Sequence, residues 1–291
     1  MGTNQKHKIA ILTDTGSYIY PKEAEELGIY LLPLQIVEDN KSYLDLFEID
    51  TIDIYEKIYK GKALKTSLPS PYTIEKTINK IKEDGYDYIL LIPLTTGISS
   101  TANTVKMIAE SLNMTLKIID TYTTCGIQKH MVLRIKKLIE LGIGVEEIEE
   151  IVKKEINNSS SYILAADLHH LKRGGRLTPL AASLANMLKI VPILHMNQST
   201  EGKIDVYDKV RTKKRAKERL VIETLKHIKH KNYKFYVLHS DNEKEAMELK
   251  EMLIQKKIEE KNIEICSFSS VVSVHVGMKC LAIQHIEETK I

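Results

Sequence analysis

Three apolar runs in this chain each stop in a cluster of hydroxyl side chains, and a helix-like stretch follows each one. Lys8-Ile-Ala-Ile-Leu12 leads into Thr13, Asp14, Thr15, Gly16 and Ser17. Tyr88-Ile-Leu-Leu-Ile92 leads into Pro93, Leu94, Thr95, Thr96, Gly97, Ile98, Ser99, Ser100 and Thr101. Leu116-Lys-Ile-Ile119 leads into Asp120, Thr121, Tyr122, Thr123 and Thr124. A short apolar run closed by turn residues and followed by a helix reads as a buried parallel strand of an α/β fold. Ligands of such folds sit beyond the carboxyl ends of the strands. Hydroxyls and free helix N–H groups gathered there suit an anion. The pattern therefore predicts an anion-binding edge built with little local positive charge.

A chain of 291 residues has room for two domains or one large one. Apolar residues make up 43%, with no Trp and three Phe, so the core must be built mostly of Ile, Leu, Val and Tyr. The 42 basic and 39 acidic residues leave a net charge of +3. That near-balance lacks the field that nucleic acid or an anionic membrane would recruit, so transient membrane contact is the most to expect. Cys125, Cys266 and Cys280 are distant and odd in number, which fits reduced thiols in a cytoplasmic protein. The N-terminus has no apolar segment of signal-peptide type, and no run of about 18 apolar residues exists to span a membrane.

Periodicity and caps place helices at about 21–27, 51–60, 71–84, 101–112, 124–141 and 145–158. Ser70-Pro71 supplies a hydroxyl cap and a proline at the first helical position, and Gly142 and Gly144 close the long helix. Asn157-Asn-Ser-Ser-Ser161 reads as a linker, which predicts domains at 5–157 and 158–291. Beyond it, strands are expected at 162–166, 190–195, 203–207, 234–238, 264–266 and 280–283. Helices are expected near 178–188, 211–230 and 242–259. Thr200-Glu-Gly202 reads as a hairpin turn. The fold class expected is two α/β domains, a parallel N-terminal sheet and a mixed C-terminal one, with the ligand site between them.

Several motifs carry chemistry. Lys65-Thr-Ser-Leu-Pro-Ser-Pro71 sets three hydroxyls, Thr66, Ser67 and Ser70, before a proline-started helix, and a plain helix cap accounts for one of them. Thr95-Thr-Gly-Ile-Ser-Ser-Thr101 holds five hydroxyls around a glycine, more than a cap requires. His169-His170-Leu-Lys-Arg-Gly-Gly-Arg176 joins basic groups to a double glycine; no Cys or His stands at ligand spacing from it, so no metal is expected. Ser273-Val-His275-Val-Gly277 comes late in the chain, where a single His is commonly a packed, hydrogen-bonded side chain. No phosphate loop of the Gly-x-x-x-x-Gly-Lys-Ser/Thr type and no dinucleotide fingerprint is present, so no cofactor is expected and the chain should not bind ATP alone.

Taken together, Thr13-Asp-Thr-Gly-Ser17, Lys65-Thr-Ser-Leu-Pro-Ser70, Pro93–Thr101, Asp120-Thr121, Leu171-Lys-Arg-Gly-Gly-Arg-Leu177 and Val274-His-Val-Gly277 stand in the order seen in the DegV family, and the chain resembles that family from about residue 8 to 285. Its members resemble fatty-acid-binding proteins, including the binding subunit of bacterial fatty acid kinase. The resemblance implies that Thr66 and Ser99 hold a fatty acid carboxylate, with Ser67, Thr95, Thr96 and His275 around the head group. Arg173 and Arg176, on the Gly-Gly-Arg segment, would dock the kinase or screen phosphate charge. The chain departs from the family at Ser100, where Gly is usual, at Leu68, where Gln is usual, and after His275, where Val-Gly-Met-Lys279 replaces Thr-Gly-Pro-Gly.

The function implied is a carrier, not an enzyme on its own. It would bury a long-chain fatty acid and present the carboxylate to a separate ATP-dependent kinase that forms an acyl phosphate. Energetics agree with that division of labour. A hydrogen bond to a charged group contributes about 1.5–3 kcal/mol, whereas a tail contributes about 0.8 kcal/mol per buried methylene, of order 10 kcal/mol for about 14 carbons. Ala181–Leu188 is equally consistent with one wall of a tail slot and with ordinary core. The alternative is an acyl hydrolase with Ser99 as nucleophile, His275 as base and Asp14 or Asp120 as orienter. No Gly-x-Ser-x-Gly elbow supports it.

Overall fold

The computed structural model describes residues 7–290 apart from 188, 227 and 229–231. The chain runs through β1 (Ile9–Asp14), α1 (Pro21–Leu27), β2 (Tyr30–Leu32), β3 (Gln35–Glu38), β4 (Lys41–Leu44), α2 (Thr51–Tyr59), β5 (Leu64–Ser67), α3 (Pro71–Glu83), β6 (Tyr88–Ile92), α4 (Thr101–Ser111), β7 (Thr115–Ile118), α5 (Gly126–Glu140) and α6 (Val145–Asn157). It continues through β8 (Ser160–Leu164), α7 (Leu168–Arg173), α8 (Pro179–Ser183), β9 (Val191–Met196), β10 (Asp205–Val210), α9 (Lys213–Lys226), β11 (Tyr233–His239), α10 (Glu243–Gln255), β12 (Ile263–Ser267), α11 (Ser270–Val276) and β13 (Leu281–Glu287).

The three apolar runs are neighbours in one parallel sheet, ordered β2-β1-β6-β7. Alternate residues serve opposite helix layers. Ala10, Leu12, Ile89 and Leu91 pack with α3 and α4, while Ile11, Leu90 and Ile92 pack with α5 and α6. With both faces covered, the strands read as unbroken apolar runs. The second large sheet is mixed, ordered β10-β9-β8-β13-β11-β12, with β11 and β12 its parallel pair. Phe235, Val237 and Ile283 face α9 and α10. From its other face, Ile163, Leu194 and Ala282 join Leu34, Ile36 and Val272 in a core shared with α2, α11 and β3. The fold is α/β with the parallel and mixed sheets expected.

The structure corrects the element reading in several places. A third sheet, antiparallel β4-β3-β5, was not anticipated, nor was β2. β3, β4 and β5 are four residues long and mix polar with apolar positions, so they leave no apolar signature, and β2, Tyr-Leu-Leu, is apolar but only three residues long. The valine-rich segment 270–276 is helical as α11, although β-branched residues favour strands; nearly all of it is buried, and packing overrides propensity. The helix expected at 178–188 is α8 followed by a 3-10 turn at Leu184–Asn186, and residue 188 lies outside the described residues. The helix expected at 211–230 is α9, with 227 and 229–231 outside the described residues. The return strand expected at 203–207 starts at Asp205. The expected linker is a two-residue turn, because Ser160 and Ser161 are buried in β8. No helix among the described residues is long and apolar enough to cross a membrane.

Candidate functional site

Most hydroxyls at the three strand ends serve the backbone. Asp14, at the end of β1, accepts from Gly16 N (3.0 Å) and Gln128 Nε2 (3.0 Å) on one oxygen and from Leu94 N (2.8 Å) on the other. Thr13 Oγ1 donates to the Ile92 carbonyl (2.6 Å), Ser17 Oγ donates to the Asp14 carbonyl (2.8 Å), and Thr15 Oγ1 accepts from Leu34 N (3.1 Å). All of these side chains are buried. Turns that close buried strands must satisfy their polar groups internally. The anion-binding edge expected from all three clusters therefore narrows to the loop after β6.

That loop and the end of β5 face α11 across a cavity of about 730 Å³. Thr66, Ser67, Thr96, Ser99 and His275, all expected around a head group, line it. Thr66 Oγ1 and His275 Nε2 share a hydrogen bond of 2.7 Å, joining β5 to α11. Ser99 Oγ lies 2.9 Å from Thr101 Oγ1 and accepts from Thr101 N (3.2 Å), so it sits at the N-terminus of α4. The free N–H groups and dipole of that helix favour an anion. Thr96 donates both its backbone N–H (2.9 Å) and its hydroxyl (2.5 Å) to Asp120 Oδ2, which commits its proton. Leu34, Leu94, Ile98, Ile204, Val271 and Val272 give the cavity its apolar walls. Leu68 also lines it.

Thr95 is placed differently. It is fully buried behind the wall, and its Oγ1 accepts from Gly97 N (3.3 Å). The turn at 201–203 rests directly on this loop. A Cβ on Gly97 would fall 2.3 Å from the carbonyl carbon of Gly202, and one on Gly202, where φ is +70°, would fall 2.0 Å from Thr95 Oγ1. Only glycine at both positions lets the two backbones meet.

Of the two arginines, Arg176 lines the cavity and Arg173 is exposed on α7 outside it. Arg176 Nη1 donates to the Gly174 carbonyl (2.7 Å). Burial, and then the Arg176 guanidinium, push His275 down to about 4, against the opposing effect of the Gly174 backbone; His275 is neutral at pH 7. Lys203 also lines the cavity. Nothing in its local sequence marks it except its place just after the Glu201-Gly202 turn. Ala181 belongs to the core rather than to the cavity wall.

The departures from the family pattern are accommodated locally. Ser100 has φ −94°, so no glycine is required there. Gly277 keeps φ +73° and abuts His170, where a Cβ would fall 2.9 Å from the ring. Lys279 takes the left-handed φ of +63°, and its Nζ donates to Asp241 Oδ2 (2.7 Å). The hydrolase arrangement is not assembled. Ser99 pairs with Thr101, His275 pairs with Thr66, and Asp14 and Asp120 are engaged elsewhere. Among the described residues no carboxylate hydrogen-bonds the His275 imidazole, as a triad requires.

A family model described as "Uncharacterised protein, DegV family" matches residues 8–288. The chain belongs to the DegV family. A DegV domain-containing protein of Listeria innocua is 32% identical over 284 residues, covering 95% of this chain and 97% of that one. Among solved structures, a fatty acid binding DegV family protein from Streptococcus agalactiae superposes with a TM-score of 0.89 at 28% identity, over 97% of this chain and 100% of the other. DegV of Bacillus subtilis, a fatty acid binding protein, gives a TM-score of 0.84 at 28% identity over the same shares. The DegV motifs quoted from the sequence fall on β1, β5, the β6–α4 loop, the turn after β7, the α7 turn and α11.

Proposed function

We propose that this DegV protein is a cytoplasmic carrier of a long-chain fatty acid, which it presents to a separate ATP-dependent kinase. The observation that carries this reading is the cavity itself. Hydroxyls of Thr66 and Ser99, a neutral His275 and a helix N-terminus line it together with aliphatic side chains from both halves of the chain. Its volume is in the range of small-molecule sites, roughly 300–1,000 Å³. The fatty acid binding of the Streptococcus and Bacillus relatives supports the same ligand.

In this reading His275 Nε2–H donates to Thr66 Oγ1, which frees the Thr66 hydroxyl proton for one carboxylate oxygen. Ser99 and the first turn of α4 serve the other. The tail lies along Leu94, Val271, Val272 and their neighbours, supplying most of the affinity. The kinase transfers the terminal phosphoryl group of ATP to a carboxylate oxygen, leaving ADP and an acyl phosphate. Arg173, exposed on α7, docks that kinase, so Arg173→Ala slows acyl phosphate formation at matched fatty acid occupancy.

The test is mass spectrometry of a denaturing extract of the purified protein. A near-stoichiometric long-chain fatty acid, lost in the Thr66→Ala plus Ser99→Ala double variant, is the expected result. A protein that is empty and takes up no added fatty acid would overturn the reading.

A further inference from the structure

A second cavity, of about 460 Å³, opens between α5 and the strands β11 and β12. It shares no lining residue with the cavity of Thr66 and Ser99. One wall is a face of α5, where Gly126, Lys129, Leu133 and Lys137 recur at the spacing that keeps side chains on one side of a helix. Tyr236 on β11 and Glu264 on β12 supply another, and Tyr18 and Tyr20 come from the segment after β1. Its volume falls in the range of small-molecule sites, roughly 300–1,000 Å³.

The lining is aromatic, and its rings are held. The Tyr18 and Tyr20 rings lie 5.5 Å apart, and Tyr20 Oη donates to Tyr18 Oη (3.3 Å). Tyr236 packs directly on the start of α5: a Cβ on Gly126 would fall 2.5 Å from Tyr236 Cγ. The Tyr236 hydroxyl shares a hydrogen bond of 2.8 Å with His130 Nδ1. Rings held in this way offer apolar faces to a ligand ring at little entropic cost.

The lining also carries charges of both signs that the protein does not match. Lys129 is paired with Glu23 (2.7 Å) and Arg134 with Glu155 (2.8 Å). Glu288 meets His130 Nε2 at 3.6 Å, and burial keeps that imidazole neutral at pH 7. Among the described residues Lys137 and Glu264, both exposed, make no ion pair. A purely anionic ligand would face Glu264 and Glu288, and a purely cationic one would face Lys137. A ligand carrying both charges meets each with its opposite.

We propose that this second cavity binds an aromatic amino acid, with its ring among Tyr18, Tyr20 and Tyr236, its ammonium group toward Glu264 and its carboxylate toward Lys137.

The chain contains no Trp, so the emission of L-tryptophan reports binding without indole background from the protein. L-Tryptophan titrated with the full chain should saturate at one molecule per chain. Tryptamine, which lacks the carboxylate, and indolepropionate, which lacks the ammonium group, should bind several-fold more weakly. Glu264→Gln weakens L-tryptophan about fivefold, the upper end for an ion pair that stays exposed, and leaves indolepropionate unmoved. Lys137→Met weakens L-tryptophan by a similar factor and leaves tryptamine unmoved. Failure of the wild type to bind any of the three probes overturns the site. Equal affinity for all three, or an L-tryptophan affinity that neither variant moves, overturns the ligand class. Displacement of L-tryptophan by hexadecanoate would place the probe in the cavity of Thr66 and Ser99 and overturn the proposal as well.

Discussion

Thr66 and Ser99 line the same cavity and are held there by different means. Thr66 is oriented by His275 from across the cavity, at 2.7 Å, and Ser99 is held by the first turn of its own helix. Replacing Thr66 with Val removes a donor to the carboxylate and leaves the half-buried His275 without its partner. Loss of a bond to a charged group, about 1.5–3 kcal/mol, predicts fatty acid affinity weakened by about 10–100-fold, measured by competition with a fluorescent fatty acid. Unchanged affinity would remove Thr66 from the head-group site. Gly202 shows a different constraint. A methyl there would overlap Thr95 Oγ1 on a backbone already in the left-handed region. Gly202→Ala should therefore lower unfolding free energy by about 2 kcal/mol or more in denaturant melts. Ser100→Gly, at an ordinary φ, should change it by less than about 1 kcal/mol.

At the scale of elements, α5 depends on a strand far away in sequence. Its first turn has no side-chain cap of its own. Gln284 on β13 supplies one, accepting from Ile127 N (3.0 Å) and donating to the Thr124 carbonyl (2.9 Å). Gln284→Leu strands both buried groups at about 1–3 kcal/mol each. The expected result is a clearly lower thermal midpoint with the secondary-structure signal retained below it; an unchanged midpoint would show that the cap is dispensable. The same dependence explains which elements were legible. α3 carries its own cap, proline and apolar stripe, and its observed start at Pro71 agrees with the sequence reading. The three strands of the small sheet carry no such record, because pairing with one another stabilises them. Likewise α11 is helical because burial on nearly every side fixes its valines, a condition no window of seven residues contains.

Across the whole molecule, buried titratable groups set opposing pH trends. Burial pushes Asp45 up to about 7, with the charge of Asp14 adding to the effect and the hydroxyls of Thr15 and Ser270 opposing it. Burial likewise pushes Asp14 up to about 6. A carboxyl whose folded pKa is raised holds its proton more tightly when folded, so its contribution falls as pH rises through that window. His130 and His275, both pushed down to about 4 by burial, act the other way: they lose stability as pH falls below 6.5. These trends oppose one another between pH 4 and 6, and a difference measurement isolates one group. Asp45→Asn should gain stability over the wild type as pH rises from about 4 to 7, levelling off above 7 at a few kcal/mol, in order of magnitude. An advantage independent of pH would contradict a raised Asp45.

The sequence by itself determined the parallel sheet, the helices that cover it and the hydroxyl loop after β6, because short apolar runs, caps and turn residues act over a few neighbours. It also marked Thr66, Ser99 and His275 as residues that share a family pattern. It did not place them together: Thr66 and His275 are 209 positions apart and meet only because α11 packs on β5. Tertiary structure alone decided that Thr95 lies buried behind the wall while Thr96 and Ser99 face the cavity. It likewise turned Arg176 inward, and brought Lys203 to the rim on a turn seated against Gly97. Those outcomes follow from close packing between distant segments, which fixes where a side chain points and which no local pattern of residues records.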